Sequence, residues 1–322
     1  MALSVQSQLN EWGKSKTPFV FLIDFECQAP QCWKLNEHND VFKFNFQGVT
    51  NFEKRNFNSN NKQQQSFLKK FPISFEEYDQ KFKAVKNAIE YGNSFLVNLT
   101  AATKIETNLS LEEIAYSCES KYICYLRNEF VCYSPESFVQ IKDGKIFSYP
   151  MKGTIDARIP NAKAILLNDA KEIAEHATIV DLIRNDLSAV AKKVRVQNYR
   201  YYEEVVTQNG LIGQVSSEIV GELPLNYQEK MGDLLFALLP AGSVSGAPKQ
   251  KTKDIIAKAE QVQRGYYTGV AGYFDGVCLD SCVLIRYLQA DYMYRSGGGI
   301  TALSDPAKEY QEMIDKVYVP AF

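Results

Sequence analysis

The chain has 322 residues, 45% hydrophobic and 12% aromatic, so it holds enough apolar material for one large core or two joined ones, and a disordered or fibrous reading is excluded. Its 36 Lys and Arg stand against 38 Asp and Glu, a net charge of -2 that gives the whole molecule no bias toward nucleic acid or anionic lipid. Seven scattered cysteines with no CxxC pair, beside only two histidines, read as buried thiols in a reducing compartment rather than a zinc site.

In chain order, the N-terminus MALSVQSQLNEWGKSK lacks the charged start and apolar core of a signal peptide. No apolar run approaches the ~20 residues of a membrane helix, so the cytoplasm is the expected location. Residues 18–25 (PFVFLIDF) predict a strand, and the Asn, Gln, Lys and Ser of 51–66 predict a loop or connector. Ser74 and Glu77 have capping-box spacing, and Phe75, Tyr78, Phe82, Val85 and Ile89 follow at helical period until Gly92 stops it. That helix feeds a strand over Ser94–Thr100. A second box, Ser110 to Glu113, opens another helix.

Asp143-Gly144 and Asp275-Gly276 predict turns of two hairpins, the second within GYFDGVCLDSCVLIRYL, and direct DG turns imply antiparallel pairing. Between them the spacing predicts a long helix over about 171–193, with Ile173, Ala177, Val180, Ile183 and Leu187 in phase. Another follows Pro248, with Ile255, Ile256, Ala259 and Val262 in phase. Asp305-Pro306 then caps a last helix striped by Tyr310, Met313, Ile314 and Val317. Helices interrupting antiparallel hairpins argue for α+β architecture. Residues 1–73 read as a short strand-rich segment with its connector, part of the same globule as a catalytic region over 74–322.

Glu172 and Glu175 share one side of the first helical turns of the long helix, and Glu309 and Glu312 lie off the apolar stripe of the last one. Each pair alone is a solvated helix face. Together, in a chain nearly without histidine, they offer oxygen ligands suited to a hard cation such as Mg²⁺. If Asp143-Gly144 is the turn, position 136 lies opposite 151, which brings Glu136 and Lys152 to one open end of the hairpin, as a surface ion pair or as a proton donor and a nucleophile. Residues 241–249 (AGSVSGAPK) run into a helix N-terminus that favours a carboxylate or phosphate, and no Walker loop is present. Arg286 sits inside an apolar strand, where a guanidinium needs an anion.

Read in order, GNSFLVNLT, SPESF, PMKGT, KEIAEHATIVDLIRNDL, AGSVSGAPK, RGYYTGVAGYF, IRY and GGGITALSDPAKEYQEM resemble the chorismate-utilising family of anthranilate, aminodeoxychorismate, isochorismate and salicylate synthases. The resemblance runs from about residue 74 to the C-terminus. It implies two antiparallel sheets packed face to face with helices outside. By position it assigns Mg²⁺ to Glu175 and Glu312, with Glu172 and Glu309 close by, and the substrate carboxylates to Arg286, Tyr267 and the amides near Ser245, Gly246 and Gly298. Glu136 would be the general acid for the departing C4 hydroxyl.

Within the family, aminodeoxychorismate synthases carry Lys in the P-x-K/A-G-T motif, as Lys152 does here, where the other branches carry a small residue. In the family mechanism that amine attacks C2, and ammonia then enters at C4. Isochorismate and salicylate synthases use a lysine where this chain has Leu96, so no base for hydrolysis is expected. Three departures stand out: aminating relatives have Gln at the position of Leu96, a family His is replaced by Gln214, and Ser245 replaces the usual Thr. With no glutaminase segment and no tryptophan-feedback motif in sight, ammonia is expected from a separate glutamine amidotransferase or from free ammonium. Anthranilate synthase component I is the nearest alternative, and a non-catalytic chorismate-binding subunit the alternative from another class.

Overall fold

The computed structural model describes residues 3–35, 37, 39–53, 66–207 and 210–319. Most of the connector expected over 51–66 lies outside them. The chain opens with helix α1 (Val5–Lys14), which the sequence reading did not anticipate. Strands β1 (Phe19–Ile23), β2 (Gln31–Lys34), β3 (Phe42–Phe46), β4 (Val49–Thr50) and β5 (Leu68–Phe71) follow.

Helix α2 (Phe75–Glu90) starts where Ser74 accepts from the Glu77 amide, and it buries Tyr78, Phe82, Val85 and Ile89 while Phe75 stays outside the stripe. It leads into β6 (Leu96–Thr107), longer than expected because its outer half pairs with β5. Helix α3 (Leu111–Ser117) carries the reciprocal capping box of Ser110 and Glu113. Strands β7 (Tyr122–Leu126), β8 (Phe130–Ser134), β9 (Ser137–Lys142), β10 (Lys145–Ser148) and β11 (Met151–Asp156) come next. The turn at Asp143-Gly144 is as expected, with Lys145 opposite Lys142. However, the β9–β10 ladder ends near Ser148, and β11 pairs with a different strand, so the expected 136–151 register does not exist.

Helices α4 (Ala162–Asn168) and α5 (Ala170–Ser188) follow, then β12 (Lys192–Thr207) and β13 (Gly210–Glu222). The long helix thus ends at Ser188, not near 193. Its buried face is His176, Ile179, Val180, Leu182, Ile183 and Leu187, whereas Ile173 and Ala177 are exposed. Helix α6 (Met231–Ala237), the two-residue strand β14 (Gly246–Ala247) and α7 (Lys249–Glu260) lead to β15 (Val270–Phe274) and β16 (Leu279–Val283). Val262 falls beyond α7 and is exposed. The apolar run expected as one strand over 278–288 is two: β16 stops, the chain turns through Arg286 at φ +55°, and β17 (Tyr287–Gln289) enters another sheet. Strand β18 (Met293–Ile300) and α8 (Pro306–Asp315), N-capped by Asp305, close the described chain.

Two nine-stranded sheets result, in an α+β architecture. One runs β11-β13-β10-β9-β16-β15-β1-β2 with β12 paired to β13, the other β14-β6-β18-β17-β8-β7-β3-β4 with β5 paired to β6. The registered ladders are antiparallel. By contacts the chain divides into two compact units: residues 1–20, 137–243 and 273–281, and residues 21–136, 244–272 and 282–322. Residues 1–73 are therefore shared between the two.

In the first unit α4 and α5 pack on β11, β12 and β13, and α1 docks on α6. In the second unit α2, α7 and α8 cover one core built on Val97, Leu99, Ala101 and Ile300. A second core gathers α3 with Ile123, Val131, Tyr133, Leu288 and Tyr294. In the same unit, at the end of α7, Arg264 and Glu260 form a fully buried ion pair, with further bonds to Thr100 and the Asn98 and Val244 carbonyls. Among the described residues no helix is long and apolar enough to cross a membrane.

Candidate functional site

The residues singled out above fall into two groups, one within each unit. In the first unit the N-terminus of α5 is capped by Asp169, whose side chain accepts from the Glu172 amide at 2.9 Å. Glu172 and Glu175 then project from the first turns. Lys152 of β11 reaches Glu175 Oε2 with its Nζ at 2.7 Å, and Lys171, one turn back on α5, reaches Oε1 at 3.5 Å. The Oε2 of Glu172 is buried and accepts no hydrogen bond. Burial, and next the charge of Glu175, raise the Glu172 pKa above the usual carboxylate value, against the pull of Lys152. A cation placed there would relieve both effects. Lys152, Glu172 and Glu175 thus lie together in this unit, whereas the sequence reading sets Lys152 beside Glu136.

Gly153, next to Lys152, has φ +87°, and a β-carbon on it would lie 2.8 Å from Glu172 Oε2. That position needs glycine both for its backbone and for its closeness to the helix. Behind the acidic pair, His176 is fully buried, with Nε2 2.7 Å from the Ser217 hydroxyl. Its pKa is pushed down to about 4, first by burial and then by the Arg200 charge, so the ring is neutral. Gln214 donates to Glu203 Oε1 at 2.7 Å, and Ser216 donates to the same oxygen at 3.0 Å.

In the second unit, Glu309 and Glu312 of α8 both face Gly298 of β18. A β-carbon there would lie 3.2 Å from Glu309 Oε2 and 3.5 Å from Glu312 Oε1. Lys316 Nζ meets Glu312 Oε1 at 2.6 Å and the Gly297 carbonyl at 2.7 Å. Arg286 is not in a strand interior. Its Nη1 donates to the Lys316 carbonyl at 3.0 Å, its guanidinium lies 5.2 Å from the Tyr318 ring centre, and its Nε is buried with no hydrogen bond. A buried guanidinium N–H without an acceptor is suited to an incoming carboxylate.

Tyr267 is buried, and burial pushes its hydroxyl up to about 12, so it is a neutral donor; the Arg295 guanidinium lies 5.7 Å from its ring centre. Ser245 and Gly246 sit where β14 pairs with β6, the Ser245 carbonyl accepting from the Asn98 amide at 2.8 Å. At Gly246, φ is +138° and an added β-carbon would collide with the Leu96 carbonyl. The glycine-rich segment is therefore pinned to the sheet before α7 begins. Leu96 lies against Gly299. The Glu136 amide donates to the Ser134 hydroxyl at 3.1 Å, and its carbonyl accepts from the Val283 amide at 3.2 Å.

Among the described residues no group of three or more His, Cys, Asp or Glu is gathered tightly enough to hold a metal by itself. Each acidic pair is a two-carboxylate donor set, the kind Mg²⁺ takes with waters and substrate oxygens, and the unbonded Glu172 oxygen fits such a ligand. Sequence reasoning gave no role to Lys316, Lys171 or His176. The lysines carried the i,i+4 spacing to Glu312 and Glu175, and His176 the signal of a polar residue on an apolar helix face.

A family profile described as chorismate binding enzyme matches residues 10–321. The chain is 48% identical over 317 residues to an uncharacterized PabA-like protein of Haemophilus influenzae, covering 97% of this chain and 95% of that one. It is 33% identical to aminodeoxychorismate synthase component 1 of Klebsiella aerogenes over 76% of this chain and 57% of that protein, so it spans little more than half of that relative. Among solved structures, anthranilate synthase component I from Streptococcus pneumoniae superposes with a TM-score of 0.65 at 27% identity, covering 77% of this chain and 58% of that one.

Proposed function

The chain belongs to the chorismate binding enzyme family, and from that premise we propose that it aminates chorismate at C4 to give 4-amino-4-deoxychorismate. The observation that carries this reading is Lys152, an amine held 2.7 Å from Glu175 at the acidic end of α5. In this reading Lys152 is the nucleophile. Its nitrogen bonds to C2 while the C4–O bond breaks, Glu136 protonating the departing hydroxyl so that water leaves. Ammonia then bonds to C4 as the C2–N bond to Lys152 breaks, returning the free amine.

Arg286 and Tyr267, with the amides near Ser245, Gly246 and Gly298, are assigned to the substrate carboxylates, the arginine through its fork of donors. Mg²⁺ is assigned to Glu175 and Glu312 with Glu172 and Glu309, and when bound it would neutralise the ring carboxylate. Lys152 and Lys171 both pair with Glu175, at 2.7 and 3.5 Å. Leu96 places an alkyl group where a water-activating lysine would stand, which supports amination over hydration. We assign the nitrogen supply to a separate glutamine amidotransferase, with ammonium as its substitute in vitro.

Anthranilate formation is the second reading, favoured by the likeness to the S. pneumoniae enzyme. The deciding experiment is mass spectrometry of the product from chorismate, ammonium and Mg²⁺. Aminodeoxychorismate, converted to p-aminobenzoate only after a lyase is added, is the expected result. Fluorescent anthranilate from the purified chain would replace this reading with the second, and chorismate binding without turnover would leave a non-catalytic subunit.

A further inference from the structure

Within the second unit the ring of Tyr267 rests on two side chains that are direct partners across strands, Tyr287 of β17 and Arg295 of β18. The Tyr287 ring centre lies 5.7 Å from that of Tyr267, at an interplanar angle of 52°. The Arg295 guanidinium lies over the same ring, also 5.7 Å from its centre, within the range of a cation–π contact. Arg295 Nη2 also donates to the Gln263 carbonyl at 2.7 Å, so one guanidinium touches the segment 263–267 at both of its ends.

The middle of this segment is held by other groups. Glu26 accepts from the Arg264 amide at 2.9 Å and the Gly265 amide at 3.0 Å, and the Tyr267 amide donates to the Arg264 carbonyl at 3.2 Å. The backbone therefore has its own supports, and what Arg295 adds is the placement of the ring. Arg295 is 7% exposed, and its Nε is buried with no hydrogen bond. Among the described residues its acceptor is the neutral Gln263 carbonyl and no carboxylate pairs with it, whereas Arg264 is neutralised by Glu260. Stability alone would favour an apolar side chain at such a place.

We infer that Arg295 is a positioning residue that holds the Tyr267 ring so that its hydroxyl meets a substrate carboxylate. The inference rests on the reading of Tyr267 as a substrate-binding residue and deepens it. A desolvated guanidinium attracts an aromatic face more strongly than an exposed one does. With the ring held from one face by Arg295 and bordered by Tyr287, the hydroxyl is aimed before substrate arrives, and binding does not have to order it.

The test is a double-mutant cycle read by calorimetry of chorismate binding to the full chain, with Mg²⁺ and without ammonium, beside urea denaturation. Arg295→Met should weaken chorismate binding by about fivefold or more, while its urea midpoint is no lower than the parent's. Tyr267→Phe should weaken binding too, and in that background Arg295→Met should change it by less than about twofold, because the group it places is gone. Equal losses in the two backgrounds, binding by Arg295→Met within about twofold of the parent, or a urea midpoint that falls along with binding overturns the inference. Should Arg295→Met not fold, Arg295→Lys, which keeps the charge but loses the planar fork that spans ring and carbonyl, takes its place in both backgrounds with the same expectation. Tyr267→Phe that binds chorismate as the parent does would sink the reading of Tyr267 itself, and the inference with it. The product plays no part in these measurements, so anthranilate in place of aminodeoxychorismate would leave the inference standing.

Discussion

The Lys152 ammonium nitrogen lies 2.7 Å from Glu175 Oε2, joining strand β11 to the acidic first turns of helix α5. The Lys152 side chain is 36% exposed and that of Glu175 17%, so the pair is open enough to be reached. A partly exposed ion pair adds little to stability. Its value is in where it holds an amine.

Lys152→Ala is therefore expected to abolish aminodeoxychorismate formation, by roughly 10³-fold or more, with the melting temperature almost unchanged. Product formation from chorismate and ammonium, measured beside thermal unfolding, checks both halves. Turnover within a few fold of the parent would remove the lysine from the mechanism.

Glu175→Gln takes one carboxylate from the α5 pair and leaves Lys152 and Lys171 without their shared counter-charge. The Mg²⁺ concentration for half-maximal turnover should rise by about tenfold or more. An unchanged Mg²⁺ titration would show that the metal is bound elsewhere.

Glu260→Ala probes the core of the second unit. Arg264 donates to Glu260 Oε2 at 2.9 Å and Oε1 at 2.5 Å, with both side chains 1% exposed, and Glu260 also accepts from the Thr100 amide and hydroxyl. Removing the carboxylate leaves a buried guanidinium uncompensated, at a cost of about 3–5 kcal/mol. Urea denaturation reads the change, and a loss under about 1 kcal/mol would mean that solvent reaches Arg264.

Asp233 gives a pH test of how α1 is held. Its carboxylate accepts from Asn10 at 3.0 Å and Gln6 at 2.8 Å, and these bonds lower its pKa in the folded chain below the ordinary 3.8. The unfolded chain binds the proton more readily, so the contribution is complete above about pH 4 and is lost as pH falls through the lower folded value. Asp233→Asn should cost less than about 1 kcal/mol at neutral pH, because the carboxylate is exposed and screened, and still less near pH 3. A difference that widened in acid, read from urea midpoints, would contradict that sign.

Local signals in the sequence were legible where the physics is local. The Ser110–Glu113 box, the Asp143-Gly144 turn, the Asp305-Pro306 start and the stripe of α2 all rest on groups a few residues apart, and all four are present. Strand β12 was missed because KKVRVQNYRYYEEVVT is polar and lacks strict alternation, and it is placed by pairing with β13 rather than by burial. The run through Arg286 read as one strand because apolar residues announce burial without saying which sheet receives them. Among site residues, Lys152, Glu172 and Glu175 could be named from motif and spacing. Lys316 and His176 could not, since their partners Gly297 and Ser217 lie on strands that pack against the helix only in the fold.

By itself the sequence determined the chemistry on offer: two acidic pairs at helical spacing, one lysine between a methionine and a glycine, and the caps and turns that start their elements. Tertiary structure decided where that lysine points. Lys152 reaches Glu175 from a register shift between Met151 and Thr154 in the pairing of β11 with β13, strands separated by α4, α5 and β12 along the chain. Pairing between strands so far apart is settled by how whole elements pack, because a one-residue slip changes the face each side chain occupies and no local pattern encodes it.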